Sequence, residues 1–139
     1  MIVLDTNVLS ELMKAAPSRS VVEWISARAP SALYTTSITE AEVLHGIELL
    51  PAGKRRESIR AAAEAMFATD FAGRVLPFAS SAAPAYARIA AERRRSGRPI
   101  SHFDAQIAAI ALSERAALAT RNVMDFDGCG ISVIDPWNP

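Results

Sequence analysis

The sequence predicts a three-layer α/β domain with a central parallel sheet of about five short strands flanked by helices. Three observations carry that prediction. Short apolar runs alternate with amphipathic segments along the whole chain, the pattern of a parallel sheet covered on both faces. The 139 residues are enough to bury one core. No internal repeat, low-complexity stretch or linker divides them, so residues 1–139 read as a single domain.

Taken in order, Ile2–Leu4 is a buried apolar strand, and Thr6–Lys14 a helix that ends before the breaker Pro17. Ser20–Arg28 places Val21, Trp24 and Ile25 on one helical face. Leu33–Thr36 is a short β-prone run. Ile38–Leu49 is helical, and Pro51-Ala52-Gly53 stops it. Lys54–Ala68 has Ile59, Ala62, Ala63 and Met66 along one side. Arg74–Phe78 is a third strand. Ser81–Ser96 is an alanine-rich helix closed by Gly97 and Pro99, and Phe103–Glu114 is a strongly apolar helix. Ala117–Thr120 and Ser132–Ile134 complete the strands.

Bulk properties narrow the function. The formal net charge is +0, so no global field draws the chain onto nucleic acid or membrane, and a polyanion needs local basic patches or a metal. Cys129 is the only cysteine, which rules out an intrachain disulfide and fits a reducing compartment. Asp5 and Glu11 stand where a signal peptide would be basic and then apolar. No apolar run is long enough to span a bilayer, so the expectation is a cytoplasmic protein without membrane contact. Thirteen arginines against two lysines fit a G+C-rich genome as well as any function.

The acids are unevenly placed. Asp5 follows the first strand, Glu40 and Glu42 begin the helix after the second, Asp104 opens the most apolar helix, and Asp125 and Asp127 follow the fourth strand. A doubly wound sheet binds its ligands at the carboxyl ends of its strands. Carboxylates from four segments then converge. Capping accounts for each acid singly: Asp is a favoured N-cap, Ser37-x-x-Glu40 and Thr39-x-x-Glu42 match the capping box, and Ser101-x-x-Asp104 is a weaker version. Capping does not account for convergence, because like charges repel and raise one another's pKa. A divalent cation neutralises such a group, and hard oxygen ligands select Mg²⁺ or Mn²⁺. His45, His102 and Cys129 lack the spacing of a zinc site. There is no nucleophile elbow, and no phosphate-binding glycine loop of either Walker or dinucleotide type. What remains is metal-assisted hydrolysis of a phosphodiester.

Four ordered blocks carry a specific resemblance: Leu4-Asp5-Thr6-Asn7-Val8-Leu9, Ser37 through Gly46, Asp104 through Ala109, and Ala119 through Phe126. Together with the terminal Asp135-Pro136-Trp137 they span essentially the whole chain. The sequence resembles PIN-domain proteins, and within them the VapC toxin family in its FitB-like branch. The resemblance implies a PIN-like fold and a Mg²⁺- or Mn²⁺-dependent endoribonuclease, the toxin of a type II toxin–antitoxin pair. It carries the acidic ligands over to Asp5, Glu42 and Asp104, with Asn122 or Asp125 as the fourth. Thr6, Asn7 and Thr120 match polar supports that hold water and carboxylates. Glu40 is then a cap or a supporting residue, and His102 has no assigned role.

Lys54-Arg55-Arg56 and Arg93-Arg94-Arg95 with Arg98 are the basic clusters. They read either as solvated helix ends or as contacts to RNA phosphates. The family resemblance further implies a homodimer and a cognate antitoxin whose C-terminal segment crosses the acidic pocket. Promoter DNA is then contacted only indirectly, through the antitoxin. Two alternatives keep the fold: a PIN nuclease of RNA processing, or a non-catalytic interaction module. The single domain without extensions favours the toxin, and Asp5, Glu42 and Asp104 speak against the silent module. A receiver or haloacid-dehalogenase-like domain would need a lysine at a later strand end, and in the second case Asp-x-Asp where this chain has Asp5-Thr6-Asn7.

Overall fold

The computed structural model describes residues 1–139. Five strands, β1 (Ile2–Leu4), β2 (Leu33–Thr36), β3 (Val75–Leu76), β4 (Ala117–Ala119) and β5 (Val133–Ile134), form one parallel sheet in the order β3-β2-β1-β4-β5. Six helices flank it: α1 (Thr6–Leu12), α2 (Arg19–Ser26), α3 (Ser37–Glu48), α4 (Lys54–Ala65), α5 (Ala83–Arg95) and α6 (His102–Ser113). The expected α/β architecture and strand number are therefore observed.

Strand alternation builds the layers. Successive side chains of a strand point to opposite faces. Val3 and Leu118 accordingly join Ile89, Ile107, Ile110 and Phe126 in one core. Their neighbours Leu4 and Ala119 join Val8, Leu9, Val21, Trp24 and Phe67 in the other. α5 and α6 cover the first face, while α1, α2 and α4 cover the second. The central position of β1 follows from its residues, since Val3 and Leu4 are both fully buried.

Most elements match the sequence expectation to within two residues at each end, and two differ in a way that has a physical reason. The strand expected over Arg74–Phe78 is cut to Val75–Leu76. Pro77 has no amide hydrogen to continue a ladder, and the Arg74 amide instead donates to the Phe71 carbonyl at 2.8 Å. The helix expected over Lys54–Ala68 is α-helical only to Ala65 and then widens into a π-helical turn, Met66–Asp70. The Phe71 amide donates there to the Met66 carbonyl, and the extra residue lets both Phe67 and Phe71 enter the core. No helix is long and apolar enough to cross a membrane.

The strand order matters for chemistry. From β1 the chain winds one way to β2 and β3, then returns to β4 on the other side of β1. The crevice at the carboxyl ends of β1 and β4 is therefore the topological switch point, where such sheets bind ligands.

Candidate active site

Asp5 sits in that crevice, one residue beyond β1, and Thr120 sits one residue beyond β4. The Asp5 amide donates to the Ala119 carbonyl at 2.9 Å and the Thr120 amide to the Ile134 carbonyl at 2.9 Å, so the ladder fixes both main chains. Asp5 is 4% exposed. It is the N-cap of α1, and its Oδ1 accepts the Thr6 amide at 2.8 Å. Its Oδ2 is turned to the crevice, where it accepts the Thr120 hydroxyl at 2.8 Å and the Asn7 side-chain amide at 3.2 Å. Capping and site membership are thus two uses of one carboxylate.

The polar supports are linked to one another. The Asn7 amide also donates to Thr120 Oγ1 at 3.1 Å, and Asn7 Oδ1 accepts the Arg121 amide at 3.1 Å. The Asn122 amide donates to Thr120 Oγ1 at 3.1 Å. Thr6 reaches the other way: its hydroxyl donates to Glu42 Oε1 at 2.8 Å and is hydrogen-bonded to the Thr39 hydroxyl at 3.2 Å. α3 is capped by Thr36, whose Oγ1 accepts the Thr39 amide at 3.0 Å. Neither overlapping capping box is therefore the cap of α3, and Glu42 is free to take Thr6. Glu40 makes no side-chain hydrogen bond, and it lies in the first turn of α3. Thr39 is the residue that motif reading misses. It is fully buried, and the hydroxyl run Thr35-Thr36-Ser37-x-Thr39 at a strand's carboxyl end is the signal for it.

Asp104 enters from the first turn of α6, whose N-cap Ser101 accepts the Asp104 amide at 3.1 Å. Here the weak capping motif does cap, through the serine. Burial raises the Asp104 carboxyl above the usual aspartate range and the charge of Asp5 adds to this, while a hydrogen bond with Ser101 opposes it, and Asp125 and Arg93 contribute less, in opposite directions. Asp5 is raised too, chiefly by burial and with a contribution from Glu42, although its bonds from Thr120 and Thr6 act the other way. These mutual effects bring Asp5, Glu42, Asp104 and Asp125 into one electrostatic neighbourhood. None of them takes part in any of the ion pairs of the chain.

The donor set is carboxylate and hydroxyl oxygen, which suits a hard divalent cation. The like-charge repulsion is what such a cation would relieve. No three His, Cys, Asp or Glu side chains already stand together as a closed cage. Of the two candidates for a fourth ligand, Asp125 acts on Asp104 through its charge. The Asn122 side chain has no hydrogen bond to the acids.

The basic clusters separate. Lys54 and Arg55 are exposed at the start of α4, and Arg56 is half-buried with its guanidinium reaching the Leu50 carbonyl at 3.4 Å. Arg93 is buried, 7% exposed, and its guanidinium donates to the carbonyls of Arg98 at 2.7 Å, Asp125 at 2.7 Å and Asp127 at 3.1 Å. It braces the loop that carries Asp125, so it is not presented to a phosphate. Arg94 and Arg95 are exposed, and Arg98 pairs with Asp127 at 2.8 Å on the surface.

Residues 2–127 match the family model described as PIN domain. Over 139 residues the chain is 44% identical to a VapC ribonuclease of Sinorhizobium fredii, covering 100% of this chain and 99% of that one. It is 36% identical to the toxin FitB of Neisseria gonorrhoeae, with 99% of each covered. The crystal structure of FitAcB from the same organism superposes with a TM-score of 0.93 at 35% identity, covering 100% of both chains. A structure of FitAB bound to a DNA fragment gives the same TM-score and identity, over 100% of this chain and 97% of that one.

Proposed function

This chain belongs to the PIN-domain family, in the branch of the VapC and FitB toxins, and from that premise we propose that it is a Mg²⁺- or Mn²⁺-dependent endoribonuclease. The observation that carries the reading is the pair of unpaired carboxylates Asp5 and Glu42, held at the switch point by Thr6, Asn7 and Thr120, with Asp104 close enough to Asp5 to feel its charge. Asp5, Glu42 and Asp104 would hold the cation, with Asp125 preferred over Asn122 as the fourth group. A cation bound there supplies an activated water and offsets charge on the leaving oxygen of a phosphodiester.

The chain itself supplies orientation. Thr120 and Asn7 lock the Asp5 carboxylate into the crevice, and Thr6 aims Glu42 from the opposite wall. The first turn of α6 presents Asp104 at the positive end of a helix dipole, which favours its charged form by about 0.3–1 kcal/mol. Burial and the charge of Asp5 act in the opposite direction and raise the Asp104 carboxyl. A bound cation would offset the cost of keeping these carboxylates charged side by side. Lys54, Arg55, Arg94 and Arg95 are exposed and outside every ion pair, so of the two basic clusters they are the members open to RNA phosphates, which the neutral net charge does not otherwise attract.

The partner reading follows relatives solved as FitAB on a DNA fragment and as a member of the VapBC family of toxin-antitoxin systems. A cognate antitoxin would close the pocket by placing an Arg or Lys among Asp5, Glu42 and Asp104, since guanidinium matches carboxylates in bidentate geometry. DNA would be reached only through that antitoxin, and the toxin would act as a homodimer in the cytoplasm.

Cleavage of a structured RNA tests the activity. The purified protein should cut with Mg²⁺ or Mn²⁺ and stop with EDTA. Glu42→Gln should lower the rate at least ~100-fold, in the range of lost charge-stabilising groups. Glu40→Gln should leave cleavage near wild type and remove only the dipole benefit of a first-turn acid, about 0.3–1 kcal/mol of stability. The reverse outcome for the two glutamates would move the site to the other face of α3.

A further inference from the structure

A groove of about 230 Å³ runs from the acidic pocket along the seam between α1 and α3. Thr6, Ser10 and Met13 form one wall, and Glu42, Gly46 and Leu50 form the other. Thr6 and Glu42 belong to the candidate active site as well, so groove and site share one residue from each wall. Glu42, Gly46 and Leu50 are spaced four apart and lie on one stripe of α3 and its exit. That stripe extends about 12 Å, at 1.5 Å per residue. Beyond Leu50 the chain turns into the exposed Lys54 and Arg55, and Arg56 reaches back to the Leu50 carbonyl.

Gly46 is the telling residue. Glycine in a helix is less favourable than alanine because it has more backbone freedom to lose. Nothing within this chain calls for it. A Cβ built at Gly46 meets nothing within 4 Å, and Gly46 is not among the glycines with positive φ. The remaining physical use of such a residue is to let a ligand lie close against the helix backbone. Glu42 lines the groove at the end shared with the site and Leu50 at the other. Four residues past Leu50 the chain presents Lys54 and Arg55, exposed and outside every ion pair, which suits a strand of phosphates leaving the groove on that side.

We propose that this α1–α3 groove is the track for the RNA strand on one side of the scissile phosphate, kept open by Gly46 and closed at its far end by Lys54 and Arg55. The inference rests on the nuclease reading and adds the path of its substrate. Gly46 and the two cations are positioning residues, since they touch the strand away from the reacting atoms.

The test uses the full chain in an Asp5→Asn background, which holds RNA without cutting it, with total transfer RNA and a labelled mixed-sequence 12-mer as probes. Binding is followed by anisotropy in Mn²⁺ at several salt concentrations. Gly46→Leu should weaken RNA binding at least ~10-fold. Gly46→Ala should weaken it ~3-fold while raising the unfolding midpoint by about 3 °C, a combination that structural damage does not produce. Lys54→Ala with Arg55→Ala should flatten the salt dependence by about two counterions, and should add little once Gly46→Leu is present. RNA binding within twofold of the parent in both Gly46 variants overturns the groove and leaves the nuclease reading standing. So does loss of self-association or of antitoxin binding in Gly46→Leu with RNA binding intact. No RNA binding by the parent chain overturns both.

Discussion

Asp104 is held against two electrostatic costs, its own burial and the charges of Asp5 and Asp125. Unfolded, an aspartate titrates near about 3.9, whereas the folded Asp104 and Asp5 keep their protons to higher pH. Between those two limits the folded state binds more protons than the unfolded one. Stability of the metal-free protein therefore falls as pH rises through that window, and at neutral pH the whole penalty is present. Asp104→Asn should raise the metal-free unfolding midpoint at pH 7 by about 2 °C. The gain should vanish toward pH 3, and added Mn²⁺ should stabilise the variant less than wild type. Equal midpoints at pH 7, with an unchanged Mn²⁺ response, would make Asp104 an ordinary first-turn acid. At this scale much was legible in the sequence. Asp-Thr-Asn after an apolar triplet names Asp5 because a strand end is where the fold exposes a side chain. Thr39 was harder to read: the hydroxyl run at the end of β2 marks the place, but a hydroxyl two residues into a helix reads as a cap until its neighbour Thr6 is known.

The elements differ in how firmly local sequence determines them. β1 and α6 are buried on nearly every side, so their apolar runs leave one solution. β3 lies at the sheet edge with two residues, and Pro77 ends it where a β-prone run suggested five. The π-helical turn after α4 depends on fitting Phe67 and Phe71 into the core together, which no local pattern announces. Arg93 lies between these cases. Ala85, Ile89 and Arg93 continue one buried stripe of α5 at a spacing of four, so its inward direction is readable in the sequence, while its carbonyl partners on the loop after β4 are not. Because that guanidinium ties α5 to the loop with Asp125, Arg93→Met should cost about 1–3 kcal/mol in urea unfolding. Arg94→Ala should leave stability unchanged. Equal stability of Arg93→Met and wild type would show that the loop is held by something else.

For the whole molecule, the winding of the sheet does the assembling. β1 at the centre and β4 beside it bring residues 115 apart in sequence, Asp5 and Thr120, within hydrogen-bond distance. The chain end closes the second layer: the Ser20 hydroxyl donates to the Pro136 carbonyl at 2.9 Å, and the Arg121 guanidinium lies 5.0 Å from the Trp137 ring. A ribonuclease needs restraint in its host. Expression of this chain alone should arrest growth, and co-expression of its cognate antitoxin should relieve the arrest. A harmless monomer that cuts RNA in vitro would instead favour RNA processing.

The central claim is that the switch-point carboxylates make the chain a cation-dependent nuclease, and the most direct measurement is RNA cleavage by the Asp5→Asn/Asp104→Asn double variant beside wild type. Both proteins are first verified as folded by near-ultraviolet circular dichroism, then assayed in Mn²⁺ and in EDTA. The account predicts cleavage by wild type in Mn²⁺ only, and none by the folded double variant in either condition. Cleavage by the folded double variant at the wild-type rate would contradict it.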